Sequence, residues 1–508
     1  TYMPDEWIFA SAVSRLSPEA DLARQVNAYA TSTWTFTYWQ RYLSDLVGRG
    51  LFGLRVTSAV IGALTVGAAG WLAWELFDRR RETVQVLSMG VAVAWVLLCF
   101  SPHVHYSRLA LYNIVDPLFG LAAAALILRG LHTGERLAYV GGGVMLGLSQ
   151  YFYEAGKLLF IPLFAVWFIA LLIQHRQRVQ RGLALAVVAA VIVGSVPWVP
   201  PLVNGQRANT RLRTGSIISD YRGQPFDRAV SYVQNLPETL LMVTTTPDGV
   251  HAPYFAGSQG LVASWWLPFF AVGMVVLLAR PLRGRHLLIL LWLGGTLAGT
   301  ALLREQTTPR YVIVLPILAM ICVVGIEATL RAIPFSERGR RLLGLTLLGL
   351  LGLGSLFHYF AYHIPNLNAV RNQQEQGSHY DVDDLAVRMA NVPDGNEVVV
   401  IAREHTAVVS TRVFEEWMQF FNPTISAQRI TTDDEFEARI WLLPDTTDLT
   451  FFIRRDAVSV LQLLEQYYVL SAPGYTTNDG VSEIALVQFD VVGVRAQAGP
   501  PPDLEFTD

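Results

Sequence analysis

Residues 51–77 read LFGLRVTSAVIGALTVGAAGWLAWELF, and the charged block DRRRE at 78–82 separates them from a second apolar run, TVQVLSMGVAVAWVLLCFS, at 83–101. A bilayer core of about 30 Å is crossed by roughly 17–25 helical residues. Each run has the length and composition of a membrane span. The pattern then repeats at Ala110 to Ile127, Leu137 to Tyr153, Leu158 to Gln174, Gly182 to Val203, Leu261 to Ala279, His286 to Leu303, Tyr311 to Leu330 and Leu342 to Tyr362. A soluble protein has no use for ten such runs.

The Arg block at 78–82 is also the first term of a charge pattern. Short basic gaps recur at Arg129 to Arg136, His175 to Arg181, Arg280 to Arg285 and Arg331 to Arg341, at every second break between runs. Basic loops stay on the cytoplasmic side. The opposite side then receives residues 1–50, the His103 to Arg108 turn, the Tyr151 to Lys157 turn, the loop from Asn204 to Gln259, the Arg304 to Arg310 turn and the whole tail. The expected location is a bacterial cytoplasmic (inner) membrane, multi-pass, with the C-terminal domain extracytoplasmic.

The fold expected is mainly α: a polytopic transmembrane bundle of about 10 spans with a C-terminal soluble α/β domain. Three regions follow, namely a first exterior loop with interfacial helices at 1–50, a membrane domain at 51–363 containing the exterior loop 204–260, and a soluble domain at 364–508. The chain opens Thr-Tyr-Met-Pro with no apolar run before Asp5, so a further spanning helix is expected upstream. From Pro365 onward there are 23 Asp and Glu against nine Arg and no Lys. Val398 to Ala402 and Leu449 to Arg454 are expected strands, and Val413 to Phe421 and Ala457 to Tyr468 amphipathic helices. Asp394-Gly395 and Pro473-Gly474 are turn signals.

Composition narrows the chemistry. The two cysteines, Cys99 and Cys322, lie inside apolar runs, which excludes a disulfide framework, a cysteine zinc site and a thioether haem. A net charge of −3 and an acidic tail give nucleic acid no basic surface. The one lysine of the chain, Lys157, stands out where Arg serves everywhere else.

Four exterior clusters hold the unusual polar residues. Asp5-Glu6 could serve as a general base or hold a cation, or could simply be acids at a helix start. In His103-Val-His105-Tyr-Ser-Arg108-Leu-Ala-Leu-Tyr112-Asn113-Ile-Val-Asp116, charged groups at a helix mouth point to function, and Asn113 and Asp116 share a face. Arg108 suits a phosphate, whereas the His pair lacks a third metal ligand. Around Tyr151-Phe-Tyr-Glu154-Ala-Gly156-Lys157 the two charges, three apart, face one cavity or form an ion pair. Arg304 and Arg310, flanking Pro309 and followed by Tyr311, run against the positive-inside bias and match a lipid-linked phosphate or diphosphate. No metal ligands are assigned. A divalent metal ion is left open as a cofactor.

Taken in order, these pieces resemble the GT-C integral membrane glycosyltransferases, in the branch of the protein O-mannosyltransferases and aminoarabinose transferases (glycosyltransferase family 39-like). The resemblance covers roughly residues 1–330. It rests on Asp5-Glu6, Phe36-Thr37-Tyr38-Trp39, Leu51 to Val56, Tyr106 to Ala110, Gly147 to Lys157 and Pro309-Arg310-Tyr311. It implies a transferase moving a sugar from a polyprenyl-phosphate donor to a protein or glycan acceptor on the extracytoplasmic face. Asp5 would be the general base, with Glu6 beside it. Arg108, Lys157, Arg304 and Arg310 would hold the lipid phosphate, and Asn113, Asp116, Tyr151, Glu154 and Tyr311 would line the substrate site. Asn113 stands where relatives often carry an acid, and Thr35-Phe36-Thr37 where many carry Lys-Pro-Pro. The other reading compatible with the sequence is a catalytically degenerate scaffold of the same fold. It would be an accessory subunit of a larger membrane assembly, such as an electron-transfer complex, packed among lipids and partner subunits.

Overall fold

Each of the ten apolar runs contains a helix in the structure, a computed structural model. It describes residues 34–79, 86–199, 216–221, 224–245, 259–304, 307–367, 391–401, 424–430, 433–454, 457–474 and 486–495, with Glu6, Phe9, Val13, Phe255, Phe420 and Asn422 as single positions. Two compact units divide the chain. One comprises 1–18, 40–54 and 372–508, and the other 19–39 and 55–371.

Helix α1 (Trp34–Val47) ends at Gly48, whose φ of +103° turns the chain into α2 (Leu51–Ala73). The left-handed conformation favours glycine there. A π-helical turn, Trp74–Asp78, extends α2. Then come α3 (Met89–Cys99), α4 (Ser101–Ser107), a 3₁₀ turn at Tyr112–Ile114, α5 (Val115–Thr133) and α6 (Arg136–Leu148). Helix α7 (Glu154–Ser195) is followed by α8 (Pro225–Thr244), α9 (Leu267–Leu278) and α10 (Gly284–Ala301). A 3₁₀ segment, Thr308–Val314, leads into α11 (Leu315–Ala332), and α12 (Glu337–His358) continues as a π-helical turn, Tyr359–His363.

Among the described residues six helical segments are long and apolar enough to cross a membrane, or seven when the pair α3–α4, bent by 65°, counts as one. The sequence led us to expect about ten. The difference lies in α6, α9 and α10. Helices α6 and α9 have only 13 and 12 residues, and α10 opens with Gly-Arg-His. The basic gap at 175–181 is also continuous with helix rather than a loop, because HRQRVQR contains neither Gly nor Pro to stop it. Its flanks pack against different helices. Gly120 faces Phe160 and Asp116 faces Gly156, so the first half of α7 runs parallel to α5. Gly143 faces Ala186 and Gly147 faces Ala190, so the second half runs parallel to α6, itself antiparallel to α5.

Glycine contacts hold the bundle, because lipid gives no hydrophobic drive for spans to associate and close backbone approach supplies the packing. The 18-residue window of α11 has a mean hydropathy of 2.5 and is 89% buried. It is apolar all round because protein surrounds it. Gly325 of α11 abuts the Phe269 carbonyl of α9, and Gly273 of α9 abuts the Ile321 carbonyl of α11.

The C-terminal portion holds a five-stranded sheet in the order β2-β1-β3-β5-β4. Strand β1 (Glu397–Ile401) pairs in parallel with both β2 (Ser426–Ile430) and β3 (Leu449–Arg454). Strand β5 (Leu486–Val494) runs antiparallel to β3 and to β4 (Tyr468–Leu470). Helices α13 (Asp433–Arg439) and α14 (Val458–Tyr467) cover it through Phe436, Val460 and Leu464. The expected strands at 398–402 and 449–454, the helix at 457–468 and the turn at Gly395 (φ +87°) are present. The expected helix at 413–421 lies outside the described residues but for Phe420. Buried Tyr468 donates to the Pro444 carbonyl at 3.3 Å, and burial pushes its phenol up to about 12.

A Cβ at Gly325 has nowhere to go. Gly325→Ala should therefore cost about 1–3 kcal/mol as an overpacked contact. Gly294→Ala, with nothing within 4 Å, should be neutral or slightly stabilising. Thermal midpoints of the purified protein in detergent test this, and equal midpoints for the two variants would disprove the close α9–α11 approach.

Candidate functional site

The exterior clusters read from the sequence fall where regular helix stops. Asp116 lies in the first turn of α5 and is fully buried. Its Oδ1 accepts the Tyr153 N–H at 3.2 Å and its Oδ2 the Gly156 N–H at 2.7 Å. One carboxyl group, carried on the first turn of α5, thus caps the start of α7, where N–H groups lack intrahelical partners. Gly156 is required by this arrangement, since a Cβ there would lie 2.9 Å from the Asp116 Cγ.

Asn113, also buried, donates from Nδ2 to the Pro309 carbonyl at 3.2 Å. It ties the 112–114 turn to the 308–314 segment, on which Arg310 is buried at 8% exposure. The Tyr106 hydroxyl donates to Thr308 Oγ1 at 2.6 Å, and Tyr112 meets Tyr153 edge-on with ring centroids 4.8 Å apart. Lys157, half-buried, feels both Asp116 and Glu154 through space. Among the described residues neither carboxylate closes a salt bridge with it. The ammonium therefore stands at the head of a long helix with no salt bridge among the described residues.

The remaining predicted residues separate from this group. Arg108 is exposed. It stacks over the rings of Tyr359 and Phe360 at 5.8 and 5.2 Å and donates to the Tyr359 hydroxyl at 3.4 Å. Arg304 forms a two-point ion pair with Asp220, and that hydrogen bond holds the Asp220 carboxyl below the usual carboxylate range. Tyr151 donates its hydroxyl to the Val193 carbonyl at 3.0 Å, bracing the end of α7. Tyr311 is fully buried, and its hydroxyl bonds to Thr300. Asp5 lies outside the described residues. Glu6 is buried in the other compact unit.

No family model and no curated protein matches the chain. Solved structures do. ArnT from Cupriavidus metallidurans in the apo state superposes with a TM-score of 0.54 at 13% identity, covering 96% of this chain and 94% of that one. The fold is similar to that of ArnT. The same protein bound to undecaprenyl phosphate matches with a TM-score of 0.52 at 12% identity, covering 97% and 94%. An Archaeoglobus fulgidus oligosaccharyltransferase complex with zinc and sulfate gives 0.47 at 12% identity, over 96% of this chain and 69% of that one. The mainly helical fold expected from the sequence is similar to that of ArnT.

Sequence reasoning missed Thr308 and Tyr359, the partners of Tyr106 and Arg108. Neither has a local signature. Thr308 stands beside a proline in a turn, and Tyr359 ends an apolar run, so only the long-range pairings with Tyr106 and Arg108 disclose them. Among the described residues no group of three or more His, Cys, Asp or Glu could hold a metal ion.

Removing the Asp116 carboxyl leaves two buried N–H groups unpaired, at about 1–3 kcal/mol each. Asp116→Ala should lower the thermal midpoint more than Asp116→Asn, which keeps one acceptor. Gly156→Ala should lower it as well. An Asp116→Ala protein as stable as wild type would show that the carboxyl does not carry the α7 start.

Proposed function

We propose that this chain is a membrane glycosyltransferase that moves a sugar from a polyprenyl-phosphate donor to a protein or glycan acceptor at the extracytoplasmic face of a bacterial inner membrane. The observation that carries the reading is Lys157. A half-buried ammonium stands at an α-helix N-terminus with no salt bridge among the described residues, within electrostatic reach of Asp116 and Glu154. Helix N-termini and uncommitted cations attract anions. The ArnT fold, one of whose structures is bound to undecaprenyl phosphate, supports a lipid phosphate as that anion.

In the reaction the acceptor hydroxyl attacks the sugar's anomeric carbon and the bond to the lipid phosphate breaks. Negative charge grows on the departing phosphate, where Lys157 and Arg310 would meet it. Asp5 is the proposed base for the acceptor proton, with Glu6 its neighbour. Asp116 positions Lys157 through the helix start it caps. Arg108 and Arg304, engaged by Tyr359 and by Asp220, take lesser parts. Tyr151 and Tyr311 shape the walls.

Transfer of a labelled sugar from polyprenyl phosphate to endogenous membrane acceptors, measured in proteoliposomes, tests the reading. Asp5→Asn should slow turnover by about 10²–10⁴-fold, the usual share of general base catalysis. Lys157→Met should lower kcat/KM by roughly tenfold to a hundredfold, as for loss of a charge-assisted bond. Undiminished transfer by Lys157→Met would remove the lysine from phosphate binding. No transfer by wild type would favour the scaffold reading.

A further inference from the structure

Two of the five basic gaps differ from the others in carrying no acid. Residues 155–219 and 249–304 contain neither Asp nor Glu. The gaps at 78–82, 129–136 and 331–341 do contain acids, and ion pairs close on Arg79, Arg129, Arg331 and Arg341. The structure fastens the two acid-free gaps to each other. Gln174 donates from Nε2 to the Leu282 carbonyl at 2.9 Å, and the Trp167 indole N–H donates to the Gly284 carbonyl at 3.3 Å. The α9–α10 turn is thereby tied to α7 where that helix's first apolar stretch, Glu154–Gln174, ends. Arginines from two acid-free stretches thus gather at one edge of the membrane-spanning bundle.

The turn is closed from inside and turns its arginines outward. The Arg280 carbonyl accepts from His286 Nδ1 at 3.1 Å and from the Arg283 N–H at 3.2 Å. Arg280 and Arg283 are exposed, and the guanidinium groups of Arg285 and Arg283 both act on His286 through space. Arg285 is held over the Phe77 ring, 5.7 Å from its centroid. The acids flanking Phe77 are committed elsewhere. Glu75 pairs with Arg79 and His132, and Asp78 serves Ser88 and the Met89 and Gly90 N–H groups. Helix α10 starts at Gly284, so its dipole adds to the positive field. Leucines stand among these cations. Leu282, between Arg280 and Arg283 in the chain, is 75% exposed, and Leu278 at the end of α9 is 56% exposed. Arginine interleaved with exposed leucine suits the boundary between head groups and acyl chains.

We propose that the α9–α10 turn binds an anionic glycerophospholipid, with the lipid phosphate on Arg280 and Arg283 and acyl carbons on Leu278 and Leu282. Clustered arginines at helix ends recognise anionic head groups, and a guanidinium fork matches phosphate oxygens. The leucines select a lipid over a free phosphate, which has nothing to set against them. A zwitterionic lipid brings an ammonium group that the arginines and the α10 dipole repel. About 25 Å of helix separates Gln174 from Lys157. The turn is therefore distinct from the place proposed for the donor phosphate, and the two readings stand or fall separately.

Native mass spectrometry of the full chain in a mild detergent reads the tightest-bound lipid, so transfer activity plays no part. The probes are dioleoylphosphatidylglycerol and dioleoylphosphatidylcholine, with inorganic phosphate as competitor. Phosphatidylglycerol should bind about tenfold or more tighter than phosphatidylcholine, and phosphate in about tenfold excess over the lipid should not displace it. Arg280→Gln combined with Arg283→Gln should weaken phosphatidylglycerol by about tenfold or more. Arg129→Gln combined with Arg341→Gln removes two arginines already paired with Glu135 and Glu337, and should stay within about threefold of wild type. Should the first double variant fail to fold, Leu282→Gln removes an acyl contact and should weaken the lipid by about threefold or more. Equal binding of the two lipids, displacement by phosphate, or unchanged affinity in the variant tested overturns the proposal. So does an equal loss in the Arg129 and Arg341 variant, which would mark a diffuse surface charge in place of a site.

Discussion

Every break in a membrane span frees main-chain N–H and C=O groups that hydrocarbon cannot satisfy, and this bundle meets that demand with buried acids. Asp116 takes the Tyr153 and Gly156 N–H groups where α7 begins. Asp78 takes those of Met89 and Gly90 where α3 begins, together with the Ser88 hydroxyl. Glu327 takes those of Val86 and Leu87 just before it. The partners lie between 10 and 241 residues apart in the chain. Each acid therefore fixes one helix start against a different segment, and the positions of the helices follow.

The acids differ in what surrounds them. Glu327 is closed by Arg331, and nearby in the chain Glu75 is closed by Arg79 and His132, all at contacts of 3.0 Å or less. These residues lie in or beside the Arg-rich gaps, and their charges are spent within the protein. At Asp116 the neighbouring cation is Lys157, and no such closure occurs among the described residues. One capping device thus serves a helix start whose neighbouring charges are paired and another whose neighbouring ammonium has no salt bridge among the described residues.

The ten runs, the strands at 397–401 and 449–454 and the helix mouths were legible because each is written locally, in apolar length, in alternation and in Gly or Pro punctuation. The acids too are local signals, since Asp and Glu favour first turns. Which N–H groups they serve was not legible. Asp116 reads as an acid of its own helix, and nothing in the sequence ties it to Gly156 40 residues later. The Arg block at 78–82 read as a charge signal alone, yet Asp78 within it is buried and bonded. Grouping the cations by side of the membrane did not sort them by partner. Arg108 rests on aromatic rings and Arg304 on Asp220, and those pairings are set by packing across some 250 and 84 residues.

The lone lysine follows from the same constraint. A guanidinium at position 157 would present a planar fork to the nearest carboxyl group, and a fork matches a carboxylate at two points. It would compete for the Asp116 oxygens with the Tyr153 and Gly156 N–H groups and so loosen the start of α7. An ammonium has no fork. It can lie within electrostatic reach of Asp116 and Glu154 while leaving the first to the backbone. Arginine serves at Arg108, where a flat cation stacks on rings, and at Arg304, where a two-point pair with Asp220 is formed. At the head of α7 the capping of the helix and the freedom of the cation are compatible only when the cation is compact, and there the chain uses Lys157.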